Sequence, residues 1–204
     1  AIVDAIVAGA RDAFANLKPA RMAVAQEQVD PRATSNRSIE AWRHNFDEGA
    51  FKPLEADGRT EKAIDHTLTV LRVDTEASPG AGFKPAGMWT AFAVHGNSVG
   101  YHTSLLHGDI HGLTARLTKA KLRGRVGEDF VAASTTGAEG DVAAGEEPGK
   151  NPGPELTYKV SSFVAEAAVR AFEAAQARID AGGIALNGIP VAYEEVSLRG
   201  APTS

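Results

Sequence analysis

The run "AGMWTAFAVHG", residues 86–96, constrains the fold of this chain more than any other stretch. It lacks the alternation of apolar and polar residues, the pattern of a strand covered on both faces in the interior of a sheet. His95 closes it. In open α/β sheets, ligands gather beyond the carboxyl ends of central strands, so this histidine holds a privileged place. Elements of both kinds surround the run. Ile2, Ile6, Val7, Phe14 and Leu17 fall on one face of a helix from about 2 to 17, which Pro19 ends. "RMAVAQEQV" alternates as a half-buried strand does, and "DPRATSNRS" breaks it with turn residues. "HTLTVLRVD", 66–74, reads as a second strand, and "EASPGAGFKP" as an exposed connection. "DIHGLTARLTKAKL" predicts a helix with Asp109 as N-cap, and "DFVAAST", 129–135, a short buried strand. A Gly, Pro and acid-rich loop is expected over 136–158. "SSFVAEAAVRAFEAAQARIDAGG" is the clearest helix, with Phe163, Ala167, Val169, Phe172 and Ile179 inside and Gly182-Gly183 as its stop. "IPVAYEEVSL" reads as a last strand. This order predicts an α/β fold over 1–204, a layered sheet flanked by helices, with three layers rather than two.

Composition narrows the function. An apolar fraction of 43% with 23% charged residues is that of a chain with a packed core. The net charge of -5 is spread along the sequence with no basic stripe to follow a phosphate backbone, which excludes nucleic acid as a partner. Without cysteine, disulfides, thiolate metal sites and cysteine nucleophiles are excluded, and any metal must be held by nitrogen and oxygen. The first residues lack a basic leader and carry Asp4, Arg11 and Asp12, so neither a signal peptide nor a membrane span is expected there. A start at Ala rather than Met fits a processed product or a piece of something longer.

Four of the six histidines, His95, His102, His107 and His111, lie between 95 and 111. His107 and His111 have the i, i+4 spacing that sets two imidazoles on one helix face, but they lack the glutamate of a zincin motif and stand beside Gly108 and Gly112. A solvated loop and helix start is the better reading of that pair. His95 ends an apolar strand and precedes Gly96, a residue that permits close approach of a ligand or a second backbone. Metal ligand and satisfied buried histidine are both open for it.

Five segments then resemble the neutral/alkaline (non-lysosomal) ceramidase family. "FAVHGNSV" is similar to the family's strand ending F-A-x-H, and "SLLHGDIHGLTARL" to its L-I-S-x-D-N-x-G-Y segment. "DFVAASTTGAEGDVAAG" is similar to F-V-A-A leading into N-x-G-D-V-S-P-N. Upstream, "SNRSIEAWRHN" resembles N-R-S-P-x-A-Y, and "DHTLTVLRVD" the family's D-x-x-(L/M)-T-(L/V)-L-(R/K) strand. The resemblance implies hydrolysis of the ceramide amide to sphingosine and fatty acid, with one zinc held by two histidines, a glutamate and a tyrosine. His95 matches the second of those histidines, and Arg37 the arginine near the active site. Gly140, Asp141 and Val142 match the motif that leads to the family's catalytic serine.

Ala143 stands where that serine is expected, and a methyl group neither attacks a carbonyl nor donates a hydrogen bond. The family's H-T-H-x-x-P-G-G motif is absent, and its glutamate and tyrosine ligands fall beyond Ser204. His107, His111, Ile110, Leu113 and Ile39 replace the family's Ser, Lys, Asn, Tyr and Pro. The resemblance therefore implies the middle portion of a catalytic domain that holds one of four zinc ligands, with the rest supplied by the remainder of the domain or another chain. Two functions follow: a segment of a zinc-dependent ceramidase-like amidohydrolase, or a catalytically degenerate module kept for binding or structure. The first implies ceramide or a related N-acyl lipid as partner, met at a membrane surface, and a secreted or cell-surface location. Read without the family, Arg37 pairs with Asp30 or Glu40 on the surface, Asp141 is turn chemistry, and Ser134, Thr135 and Thr136 satisfy backbone groups. Trp42 and Trp89 read as core or rim packing.

Overall fold

A computed structural model describes residues 2–44 and 63–184. The elements run α1 (Ile2–Ala15), β1 (Ala20–Gln28), a 3₁₀ turn (Pro31–Ala33), β2 (Thr34–Asn36), α2 (Ile39–His44), β3 (Thr67–Glu76) and β4 (Phe83–Phe92). They continue with α3 (Asp109–Lys121), β5 (Val131–Thr136), β6 (Val142–Ala144), α4 (Pro154–Ala174) and α5 (Gln176–Asp180). The expected last strand, 189–198, lies outside the described residues.

Four strands form one mixed sheet in the order β1-β3-β4-β5. β1, β3 and β4 pair antiparallel, and β5 lies parallel to β4 after the α3 crossover. The apolar run does occupy an interior strand. Its cover, however, is one-sided among the described residues: Met88, Thr90 and Phe92 are buried, while Trp89 on the other face is 46% exposed and donates to Thr135 Oγ1 at 2.9 Å. The described residues thus make two layers where three were expected, because α3 and α4 pack on the same face and α1 buries no residue. The apolar side chains of α1 that its periodicity marked for a core, Ile2, Ile6 and Phe14, are exposed. β5 is likewise not a buried strand: it sits at the sheet's edge with Val131 exposed, and Phe130 just before it is buried in the core while Ala132 packs against it partly buried.

The core forms where α4 crosses β3 and α3. Leu68 and Val70 from β3, Met88 and Phe92 from β4, Ile110 and Leu122, and Val160, Val164, Ala168 and Phe172 from α4 are all buried. The period-2 pattern of β3 would put Arg72 and Asp74 on the same inner face, and the structure does so, burying both. Their ion pair is bidentate, Nε to Oδ1 at 2.8 Å and Nη2 to Oδ2 at 2.9 Å. The remaining Nη1 donates to the Phe172 carbonyl at 3.2 Å, and the guanidinium stacks over the Phe172 ring at 4.1 Å. α4 is thereby fixed to the sheet by polar and apolar contacts from one residue. The ladder slips beside the pair: Val73 faces Gly87 and Asp74 faces Pro85, which leaves Ala86 as a bulge next to a proline that has no N–H to give.

Phe163 and Val169 are partly buried, whereas Ala167, Phe172 and Ile179 are core, as the helical pattern predicts. Gly183 stops the helical segment because its φ of +69° suits glycine and because a Cβ there would lie 2.7 Å from the Met22 carbonyl oxygen. The segments expected to be irregular hold short elements. "DPRATSNRS" contains the 3₁₀ turn and β2, the connection after 76 is already strand at Phe83, and the loop expected over 136–158 contains β6 and the start of α4. β2 and β6 pair with each other, so each is ordered by a partner more than 100 residues away that its own three residues give no sign of.

Two expectations follow. Asp74→Asn leaves the Arg72 charge buried without its counter-charge and should lower stability by about 3–5 kcal/mol in urea unfolding, while the Arg72→Met, Asp74→Leu double change should cost far less. A loss under about 1 kcal/mol for Asp74→Asn would show that the pair does not tie the layers. At the 3₁₀ turn, the Arg32 guanidinium donates to Asp30 at 2.6 and 2.9 Å, and this, with help from the Arg32 N–H and against desolvation, holds the Asp30 carboxyl down at about 2 from its usual 3.8. The depressed value means that the stabilisation is present above pH 3.8 and lost as pH falls toward 2. Because Arg32 is mostly solvent-exposed the effect is under about 1 kcal/mol, and Arg32→Gln should return the Asp30 titration, followed by carboxyl NMR, toward 3.8.

Candidate functional site

β4 ends at Phe92, and His95 follows where the chain crosses the β2–β6 pair. The Val142 carbonyl accepts twice from this residue, from the backbone N–H at 3.2 Å and from Nδ1 at 2.9 Å. A carbonyl only accepts, so Nδ1 carries a proton, and in the neutral form of an imidazole so held the lone pair lies on Nε2. Nε2 makes no hydrogen bond among the described residues. That is the tautomer and orientation in which metal-bound imidazoles are usually held, the far nitrogen fixed by a backbone carbonyl. Gly96 does not create the space: a Cβ there would meet only Asp109 and His111 atoms at 3.9 Å, ordinary contact.

The other histidines do not join it. His111 Nε2 donates to the Val94 carbonyl at 3.1 Å and its Nδ1 faces Ser134 Oγ at 3.4 Å, so both nitrogens are engaged and the ring is half-buried rather than solvated. His107 Nδ1 accepts from the Asp109 N–H at 3.2 Å, and His102 lies exposed against Tyr101. Asp109 is not the N-cap that its place before an apolar run suggested. Gly108 takes that position, while Asp109 adopts a φ of +44° and turns its carboxylate to Ser98 Oγ at 2.5 Å and to the N–H groups of Ser98 and Val99 at 3.2 Å. This side chain helps to anchor the loop that leaves His95, together with Thr157 Oγ1 on Ser98 Oγ at 2.7 Å, in a conformation that costs a non-glycine residue energy.

β6 brings the remaining candidates together. The Asp141 carboxylate accepts from Asn36 Nδ2 at 2.9 Å, and the Asp141 carbonyl accepts from the Arg37 N–H at 2.8 Å. Arg37 Nε donates to the Gly140 carbonyl at 3.2 Å, so it pairs with neither Asp30 nor Glu40, and Asp30 is taken by Arg32. Ala143 is buried and stands opposite Ser35 in the antiparallel register, which sets both side chains on one face. Ser35 Oγ is buried there without a hydrogen-bond partner among the described residues. Ser134, Thr135 and Thr136 are spent on His111, on Trp89 with the Thr90 carbonyl, and on the Val94 carbonyl with Glu139. A cavity of about 520 Å³ opens beside the cluster, lined by Trp42, Asp65, Ala93, Asp141 and Val142 among others.

His95, Arg37, Asp141 and Ala143 therefore converge on β6, although the sequence spreads them over more than 100 positions. The reading of the residues missed Asn36, Ser35 and the anchoring role of Asp109. Asn36 stands inside the quoted "SNRS" segment, yet nothing local shows that its amide would reach Asp141 and the Ala63 carbonyl at 3.0 Å. No group of three or more His, Asp or Glu able to hold a metal occurs among the described residues. His95 fits zinc as a single ligand, and the described residues do not close a site.

Residues 1–151 match the family described as neutral/alkaline non-lysosomal ceramidase, N-terminal, a stretch that contains all four candidates. The chain belongs to that family. Its fold is similar to that of a neutral ceramidase from Pseudomonas aeruginosa, with a TM-score of 0.65 and 22% identity over 86% of this chain and 26% of that one. A ceramidase complexed with C2 is similar at a TM-score of 0.61 and 23% identity, over 80% of this chain and 24% of that one. The chain thus spans about a quarter of the length of the solved structures it matches. No curated protein sequence matches it.

Asn36→Ala should remove the amide that joins Asp141 to the Ala63 carbonyl, lowering stability by about 1–3 kcal/mol. Amide exchange should accelerate at Arg37 and Gly145, whose N–H groups bridge the same two segments, while the core of β3 stays protected. Unchanged exchange at both amides would mean that the Asn36–Asp141 bond does not hold the site.

Proposed function

We propose that this chain is a segment of a ceramidase-like amidohydrolase that takes part in zinc-dependent hydrolysis of the N-acyl amide of ceramide to sphingosine and fatty acid. The observation that carries the reading is His95: half-buried at the end of a central strand, with Nδ1–H fixed on the Val142 carbonyl and Nε2 left to a ligand, in a family whose members are ceramidases. When bound, zinc supplies Lewis acidity to an amide carbonyl. In this chain, Val142 orients the imidazole, and Asn36 and Arg37 hold the strand segment that carries Val142. The remaining ligands come, in this proposal, from the rest of the catalytic domain or from another chain. Ala143 offers no hydroxyl, and in this proposal Arg37, whose Nε is bonded to the Gly140 carbonyl, uses its other guanidinium nitrogens to meet a polar part of the substrate. Ceramide or a related N-acyl lipid, presented at a membrane surface, is the proposed partner, and a secreted or cell-surface location rests on the family alone.

Ala143 favours a second reading, a degenerate module that binds without chemistry. The two separate on one preparation, the protein isolated with every chain that accompanies it. The catalytic reading expects about one zinc per complex and ceramide hydrolysis, with His95→Ala reducing metal affinity by at least about tenfold and activity with it. Folded, metal-free protein that leaves ceramide intact would overturn it in favour of the module.

A further inference from the structure

α3 carries Arg116 and Lys119, three residues apart on one helix face, and Arg123 follows just beyond the end of the helix. With the turn that follows the helix they line a surface cavity of about 760 Å³, whose apolar floor includes Ala120, Val126 and Ala132. Other cations near the same helix end have ordinary duties: Lys121 pairs with Glu166 at 3.3 Å and Arg125 with Glu173, both on α4. Arg116 and Arg123 differ, since neither guanidinium has a hydrogen bond or ion pair among the described residues. Lys119 is held in place by donating to the Glu128 carbonyl at 2.7 Å, and Glu128 is the one carboxylate among the lining residues. In a protein of net charge -5, this is a concentration of positive charge around an apolar floor. The cavity is separate from the site around His95, because Ala132 pairs with Met88 in β4, seven residues before that histidine and toward the other end of the strand.

We propose that this cavity binds the phosphate group of an anionic amphiphile. Guanidinium forks from Arg116 and Arg123 suit the oxygens of a phosphate in bidentate fashion, Lys119 adds a point charge between them, and the apolar floor takes the substituent that a free phosphate lacks. This inference does not depend on the catalytic reading, nor on zinc. The test is a backbone amide NMR titration at about 50 mM salt, low enough to limit screening, with inorganic phosphate in one arm and octyl phosphate below its micellar concentration in the other. Saturable shifts are expected at Lys119, Ala120, Arg123, Gly124 and Ala132, with octyl phosphate binding at least about tenfold more tightly than inorganic phosphate. An Arg116→Gln, Arg123→Gln double variant should weaken octyl phosphate at least about tenfold, whereas Arg170→Gln, at an exposed arginine of α4 paired with Glu27 of β1, should not. His95→Ala should bind as the parent does, so failure of the catalytic reading leaves this result untouched. Absence of saturable shifts, or the same affinity in the double variant, would overturn the site. Equal affinity for the two probes would overturn the amphiphile and leave free phosphate as the ligand.

Discussion

The buried pair of Arg72 and Asp74 is the constraint on which the arrangement of layers depends. Two charges on the inner face of β3 would oppose packing if α4 did not complete them, and the Phe172 carbonyl and ring do so. α4 is therefore seated on the sheet in one rotation and at one height, and its apolar residues meet α3 and β3 together. Hydrophobic burial supplies most of the favourable free energy, but it is not directional. The guanidinium, with its fixed fork, supplies the direction.

Once α3 and the sheet are fixed, the end of β4 becomes a defined point in space. His95 leaves that end with its Nδ1 on the Val142 carbonyl, Asp109 from the start of α3 holds the following loop, and the β2–β6 pair presents Val142. The chain covers about a quarter of the solved structures it resembles. The uncovered outer face of the sheet, marked by exposed Trp89 and Val131, and the exposed apolar residues of α1 are features of the same described region.

Much of the fold was legible in particular residues. The alternation in "TLTVLRVD" predicts β3, the apolar run predicts an interior strand, and the alanine-rich period from Phe163 to Ile179 predicts the long helix and its core face. What failed did so for want of non-local information. The apolar stripe of α1 predicts a buried face, but a stripe states only that burial is favourable and does not name a partner. "DFVAAST" reads as buried because valine and alanine look alike at a sheet's centre and at its edge. β2 and β6 were invisible because three residues carry no period, and Asp109 misled because aspartate before a helix is most often a cap.

By itself the sequence determined the elements whose own residues repeat often enough to mark a face, the absence of cysteine chemistry, and through five ordered segments the family to which the chain belongs. The tertiary structure alone decided which nitrogen of His95 bonds the Val142 carbonyl, that Arg37 answers to Gly140 rather than to Asp30, and that Arg116 and Arg123 share a cavity. The reason is physical: periodicity is a property of neighbours along the chain, whereas hydrogen-bond partners and charge clusters are set by distances between segments that only packing brings within reach.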